Sequence, residues 1–350
     1  VATEFLSEND LPEWDAFVAR HPLGLVYHLS SWKQALERAF SHIKGHFLAL
    51  RDGSGNIVAG IPVYVVRSWL FGNRLVSIPY ASICDPLILS KEQYHQLMPG
   101  LTSLQNSTKS HSIRIKARKA ADMVISSGGP INASLYHHYI PLNQSPELLL
   151  KSISKSSIER VIRRSIRNGI GVVIQSDQSA LRMFYKLSVN SRRRLGLPPL
   201  PYPFIYSLYQ SFNPANMKLF FADQQRQIIG ALLALEFNGF LHLEYSGAIS
   251  GTFDSGASRL LCWEAINYAY SKGYKYVSFG CTDSWNNGLL DYKRRWATVE
   301  EPIHQIGANG KNVPLIGQTA KQYSACRWIL SHSPNAFCDA LARLFYRHHG

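Results

Sequence analysis

The sequence predicts an α/β protein, α+β where its strands run antiparallel, arranged as two tandem copies of one architecture. Three observations predict it: helix-period and strand-period segments alternate, a similar element order recurs after Gln144, and hairpin turn chemistry separates the central strands of each half.

In the first half, apolar spacing gives helices at Leu11–Arg20 and Ser31–Phe40, then strands at His46–Leu50, Ile57–Val66 and Leu75–Pro79. Asp52-Gly53-Ser54-Gly55-Asn56 is a hairpin turn signal. A helix at Lys91–Leu104 and strands at Ser112–Lys116 and Leu135–Pro141 complete a mixed sheet flanked by helices.

The second half reads as helices near Pro146–Arg167 and Ser179–Arg194, strands at Met217–Ala222, Gln227–Phe237 and Phe240–Ala248, a helix at Ala257–Lys272 and a strand at Tyr276–Gly280. Turns at Asp223–Arg226 and Asn238-Gly239 make its centre antiparallel. These patterns divide the chain into domains 1–145 and 146–309. A tail, 310–350, carries the spacing of two short helices, one through Cys326, Ile329 and Leu330 and one through Phe337, Leu341, Leu344 and Phe345. Such helices pack on the first domain or lie on a membrane, and packing is the more common fate of an amphipathic helix.

The 350 residues are 46% hydrophobic and 12% aromatic, enough to fill two cores. Lys+Arg number 37 against 23 Asp+Glu, a net charge of +14, which points to a polyanionic partner: tRNA, a nucleotide-linked substrate, coenzyme A or an anionic membrane face. Five scattered cysteines without CxxC spacing suggest neither a disulfide framework nor zinc, and fit a reducing cytoplasm. The most apolar window, Ile57 to Phe71, is interrupted by Pro62 and Arg67 and is too short to span a bilayer. No histidine pair has ligand spacing, so no metal is expected. Cys84 reads as a small buried residue rather than a nucleophile.

Chemistry concentrates in four places. Ser278 to Asp283 reads as a buried strand ending in a polar loop, followed by the aromatic-basic segment Gly288 to Trp296, and α/β active sites form at such strand ends. Arg160, Arg163, Arg164 and Arg167 fall on one helical stripe opposite Ile158, Val161, Ile162 and Ile166. A solvated charge face is the common meaning of such a stripe. With only Glu159 as a nearby counter-charge, an anion-facing role is read here, because the guanidinium fork binds phosphate and carboxylate bidentately. Arg192, Arg193 and Arg194 gather at a helix end before a proline-rich loop, where they also satisfy the helix dipole. Asp254, Ser255 and Gly256 open the apolar helix from Ala257; they are a small-residue approach for a phosphate or carboxylate, or simply its N-cap. Glu244, on the preceding strand, is a general base if it faces a cleft and otherwise a paired strand glutamate.

Several blocks over roughly residues 10 to 300 make the chain resemble the FemAB-like acyltransferases, the peptidyltransferase-type branch of the GNAT superfamily, in particular members found with polysaccharide and exosortase systems. These blocks are Tyr27-His28 with Trp32, Ala39-Phe40 and His42; Gly60-Ile61-Pro62-Val63; Arg67 to Pro79; the arginine helix through Asn168-Gly169; Arg194 to Pro198; Gly256 with Leu260-Leu261; Phe279-Gly280; and Tyr292-Lys293 with Trp296. The resemblance implies two tandem GNAT-like domains and transfer of an acyl or aminoacyl group to an amine of a cell-envelope or exopolysaccharide precursor. Acyl-CoA or aminoacyl-tRNA is then the donor and co-substrate, with no bound cofactor. The acceptor is an anionic or lipid- or nucleotide-linked sugar precursor, in the cytoplasm or peripherally at the inner membrane face, with no DNA partner.

It further implies that Tyr292-Lys293 sits at the transfer site. Lys293 stabilises charge, Tyr292 positions it, Asp283 or Glu244 takes the amine proton, and the arginine stripe with Arg194 and the Asp254–Gly256 turn holds the donor or precursor. The chain departs from the family pattern in Cys84-Asp85 for Gly-Gly and in Cys281-Thr282 for Arg-Ser. It also lacks the Gln/Arg-x-x-Gly-x-Gly/Ala loop before Ala257 and a coiled-coil arm. A binding protein for nucleotide sugars or carbohydrates that keeps the fold without catalysis is the rival expectation.

Overall fold

Alternating apolar residues interrupted by turn chemistry produce the strands, and helical stretches cover their faces. The computed structural model describes residues 2–81, 83–125, 131–249, 255–307, 333 and 335–348. In chain order the strands are β1 Ala2–Phe5, β2 Ile43–Arg51, β3 Ile57–Val66, β4 Arg74–Val76, β5 Ile113–Ala117, β6 Ile131–Pro141, β7 Ile170–Gln175, β8 Met217–Gln224, β9 Gln227–Phe237, β10 Phe240–Ala248, β11 Tyr276–Asp283 and β12 Val299–Gly307. The helices are α1 Leu11–Arg20, α2 Ser30–Ala39, α3 Lys91–Ser107, α4 Ala121–Ile125, α5 Pro146–Ser152, α6 Arg160–Arg167, α7 Gln178–Arg194, α8 Tyr202–Phe212, α9 Ala257–Ser271, α10 Asn287–Arg294 and α11 Asn335–His348.

Two compact units result, one of residues 1–136, 301–317 and 344–350, the other of residues 137–300 and 318–343. In unit 1 the strand order is β1-β2-β3-β4-β5-β12, antiparallel except where β4 meets β5 in parallel. In unit 2 it is β6-β11-β10-β9-β8-β7, where β7 to β10 are antiparallel and β10 meets β11 in parallel. Each unit thus repeats one scheme: a strand, two helices, three antiparallel strands, a helix and a parallel strand. The fold class is the mixed α/β sheet flanked by helices that the sequence predicts.

Some elements differ from the sequence reading. Pro146–Arg167 is not one helix: α5 stops at Ser152, a π-helical turn at Lys155–Glu159 follows, and α6 starts at Arg160. Ser154 caps the break, its hydroxyl accepting from Ser157 N. Ile158 in the π-helical turn and Ile162 and Ser165 on α6 face inward, whereas Ile166 is exposed. The proline-rich loop before Tyr202 leads into α8, where Pro203 lies in the first turn and costs no helix hydrogen bond. The expected tail helix at Cys326–Leu330 lies outside the described residues, and the second is α11.

Cys84 and Asp85 have a structural use. The buried Asp85 carboxylate accepts from Arg118 N at 2.7 Å and Ala120 N at 2.9 Å, and its carbonyl meets His28 Nε2 at 2.9 Å. It satisfies the backbone donors of the turn that follows β5. Burial pushes the Cys84 thiol well above its ordinary range, as a packed residue requires.

In unit 2, α9 lies on β8, β9 and β10 through Leu260, Leu261, Trp263 and Ile266, and Phe220 meets the Tyr268 ring edge-on at 5.6 Å. The opposite face of β10 receives α7, where Ser191 Oγ accepts from Ala248 N at 2.8 Å. Asp85→Ala is expected to destabilise the protein by about 2–4 kcal/mol, because two backbone donors lose a charged acceptor and remain buried. Urea unfolding with an unchanged midpoint would contradict this.

Candidate active site

β10 and β11 run together for only three register pairs, Phe240–Tyr276, Leu241–Val277 and His242–Ser278. Beyond them β10 keeps its register with β9 after a bulge between Leu243 and Tyr245 that skips Glu244. On the other side, Gly280 adopts φ +67°, a conformation that glycine takes without strain and that turns β11 just past its last pair with β10. Among the described residues, the facing backbone groups of 243–248 and 279–283 are thus not paired with each other. A wedge opens inside the sheet, and strands that part in this way suit an extended ligand that carries amides.

Lys293 sits at the mouth of that wedge. It is 5% exposed, near the C-terminal end of α10, and its Nζ donates to the carbonyls of Gly280 and Cys281, both at 3.1 Å. Burial lowers its pKa to about 8, and the neighbouring Cys281 works against that shift. The carbonyl acceptors and the helix C-terminus favour the cation that burial disfavours, so the group titrates near neutrality.

His138 on β6 lies close enough for the Lys293 charge to act on it. Burial, then that charge, bring its pKa down to about 4, leaving a neutral imidazole. Its Nδ1 stands 3.3 Å from Thr298 Oγ1, which in turn donates to the Lys293 carbonyl at 3.1 Å. His138 Nε2 and Thr282 Oγ1 are both buried and without a hydrogen-bond partner among the described residues. Asp283 ends β11, its carboxyl raised by burial, which makes it a better proton acceptor for an amine than an exposed aspartate.

Tyr292 is turned elsewhere. One residue before Lys293 on the helix, it points about 100° away. It packs on the core beside Cys262, and the Arg259 guanidinium lies 6.0 Å from its ring centre. Burial raises the phenol of Tyr292 and pushes the Cys262 thiol up to about 12. Tyr292 therefore ties α10 to α9 and sets where Lys293 stands.

The other predicted residues group at the α6–α9 junction. Ser165 Oγ donates to the carbonyl of Ser255 at 2.8 Å, and Gly256, at φ +82°, brings α9 so close that a Cβ there would lie 2.3 Å from Ser165 Oγ. The side chains of Arg160, Arg163, Arg164 and Arg167 are exposed on the far side of α6, with Arg163 bound to Glu159 at 2.9 Å. Arg194 is half-buried at the end of α7, and Asp254 lies outside the described residues. Glu244 is half-buried at the bulge.

Sequence reasoning singled out Lys293, Asp283 and Gly280 and passed over His138 and the wedge. The histidines of Tyr136–Tyr139 show only strand alternation, and nothing local places one beside Lys293. A signal for the wedge was present in the glycine inside a strand pattern at Phe279-Gly280. No group of His, Cys, Asp and Glu among the described residues is arranged to hold a metal.

Residues 154–294 match the family model of the acetyltransferase (GNAT) domain. No curated protein matches the chain by sequence. Among solved structures, the chain is similar to FemX at 14% identity, covering 87% of this chain and 97% of that one with a TM-score of 0.72. It is similar to L-PGS from Bacillus licheniformis at 11% identity, with 93% and 98% covered and a TM-score of 0.59. A tandem GNAT protein from the clavulanic acid biosynthesis pathway aligns at 10% identity, with 89% and 100% covered and a TM-score of 0.53. At these identities the structural likenesses show the fold. The wedge, Asp283, Lys293 and the arginine stripe all fall inside the segment that matches this family model.

The Lys293 titration has a stability consequence with a definite sign. Its pKa is about 8 when folded against 10.5 as a free side chain, so between these values the unfolded chain binds more protons. Stability contributed at this site therefore rises with pH across that window, by about 3 kcal/mol in all, and the penalty is fully present below it. Comparing urea unfolding of the protein and of Lys293→Met from neutral to alkaline pH should show the difference moving in favour of lysine. A pH-independent difference would contradict the burial argument.

Proposed function

We propose that the protein is a FemAB-like acyl or aminoacyl transferase that forms an amide on an amino group of a cell-envelope or exopolysaccharide precursor. The observation that carries this reading is the buried Lys293 ammonium held on the Gly280 and Cys281 carbonyls at the mouth of the β10–β11 wedge. The donor is acyl-CoA or aminoacyl-tRNA. An amide-bearing arm such as that of acyl-CoA would lie between the parted strands β10 and β11, bringing its carbonyl to the end of β11.

The acceptor amine attacks that carbonyl, and negative charge grows on its oxygen. Two N–H groups of Lys293 are spent on backbone carbonyls; the third is left to donate to the oxyanion in a site with little water. Asp283 takes the proton from the attacking amine, with Glu244 as the alternative base across the wedge. As the tetrahedral intermediate collapses, the bond to the donor's sulfur or ribose oxygen breaks, Asp283 returns its proton so that the donor leaves as a thiol or hydroxyl, and the amide remains. Tyr292, through Cys262 and Arg259, keeps α10 in place. The arginine stripe of α6, with Ser255 and Gly256 behind it, receives phosphates of the donor or of a nucleotide- or lipid-linked sugar. The reaction then takes place in the cytoplasm, at most peripherally at the inner membrane face.

Mass spectrometry of UDP-amino sugars incubated with the protein and either donor should reveal an acylated product. Binding of both without product would leave a carbohydrate- or nucleotide-binding protein instead. Lys293→Met is expected to lower kcat about 100-fold with a small change in KM, and the rate with lysine should fall as pH rises through about 8. A rate that instead climbs through that pH would make Lys293 a base, not an oxyanion donor. Arg164→Gln with Arg167→Gln should raise KM for the anionic substrate at low salt and lose that effect at high salt, where the Debye length is short. Equal KM values at low salt would remove the stripe from substrate binding.

A further inference from the structure

Unit 1 presents an apolar tip that its own fold does not cover. Trp69, Leu70 and Phe71, in the connection between β3 and β4, are 74%, 56% and 41% exposed. Three consecutive large apolar side chains in solvent are unlike the scattered exposed leucine or valine of an ordinary surface.

The tip stands on a firm base. Ser68 Oγ meets His348 Nδ1 at 2.8 Å and accepts from Phe71 N at 2.9 Å. Arg74 donates to the His348 carbonyl at 2.6 Å, and Asn73 donates to the Thr108 carbonyl at 2.9 Å. The Trp69 ring stands edge-on to the His348 ring at 4.9 Å. The segment is thus held in shape from both ends of the loop, which lowers the conformational cost of docking it.

Positive charge surrounds that base. Arg67, Lys109 and Arg347 are exposed there, and the charges of Arg347, Arg74 and His348, after burial, help depress His42 to about 4. No Asp or Glu occurs between Asp52 and Asp85, nor between Glu92 and Asp122, so neither flanking segment brings a counter-charge. Leu344, one turn before His348 on α11, is exposed on the same side.

From this we infer that the Trp69–Phe71 loop is a membrane-docking element that inserts into the interface of an anionic lipid bilayer. The chemistry matches layer by layer. Tryptophan, leucine and phenylalanine enter the headgroup–acyl boundary, and the arginines and lysine behind them stay at the depth of the lipid phosphates. A second copy of the chain would set one basic collar against another, and an acidic protein would leave the apolar tip without its own cover. The inference uses no feature of the transfer site, so it stands or falls independently of the acyl-transfer reading.

The test is flotation of the whole protein with vesicles of phosphatidylcholine alone and of phosphatidylcholine mixed with phosphatidylglycerol. Binding is expected to the mixed vesicles, weakening with salt, and the triple variant Trp69→Ser, Leu70→Ser, Phe71→Ser should bind at least about tenfold more weakly. Arg67→Glu with Arg347→Glu should remove the preference for anionic lipid. As a check that goes beyond folding, bromine-labelled lipid should quench the wild-type tryptophan fluorescence and lose that quenching in Trp69→Phe, which keeps the apolar tip. Absence of binding to anionic vesicles, equal binding of the triple variant, or a concentration-dependent dimer abolished by the triple variant would overturn the inference.

Discussion

The buried cation Lys293 fixes the meaning of the structure around it. A lysine that has left water needs acceptors, and those it finds are two consecutive backbone carbonyls at Gly280 and Cys281. They are presented together because Gly280 takes a left-handed conformation just after β11 stops pairing with β10. One glycine therefore serves two ends: it turns the strand where the sheet opens, and it exposes the carbonyls that hold the lysine beside that opening. Cys281 and Thr282 bring no second cation here that would compete for the same carbonyls.

The tandem scheme explains why the site lies in unit 2. Both units repeat the same pairing, and each has one parallel junction, at β4–β5 and at β10–β11. Among the described residues, the second pairs its parallel strands beside a bulge, at Glu244, and is followed by a buried lysine. The equivalent ground in unit 1 is filled by Asp85, whose carboxylate holds the turn at Arg118 and Ala120. The two copies thus differ at this point, one holding a buried lysine and the other a hydrogen-bonded aspartate.

Most of the fold was legible where local chemistry decides the conformation. Asn238-Gly239 forms the turn its dipeptide demands, both residues at positive φ, and β9 and β10 end where the pattern ends. Legibility failed where tertiary contacts decide. The run from Pro146 to Arg167 has an unbroken helical pattern, yet Ser154 donates its amide to the Arg295 carbonyl and the helix stops. β12, with two glutamates and Pro302, looks like a loop and becomes a strand because β5 offers it a partner. At the site, Lys293 was readable from its aromatic surroundings, whereas its neighbour His138 is 155 residues away in the chain and no spacing rule connects them. Tyr292 shows the converse, since adjacency in sequence did not place its hydroxyl beside the lysine's amine.

The account rests most directly on the ionisation of Lys293, and NMR titration of its side-chain nitrogen tests it. The account predicts an apparent pKa of about 8 in the free protein, rising when the anionic donor binds and the cation gains a counter-charge. A lysine that titrates at its ordinary value and ignores the donor would contradict it.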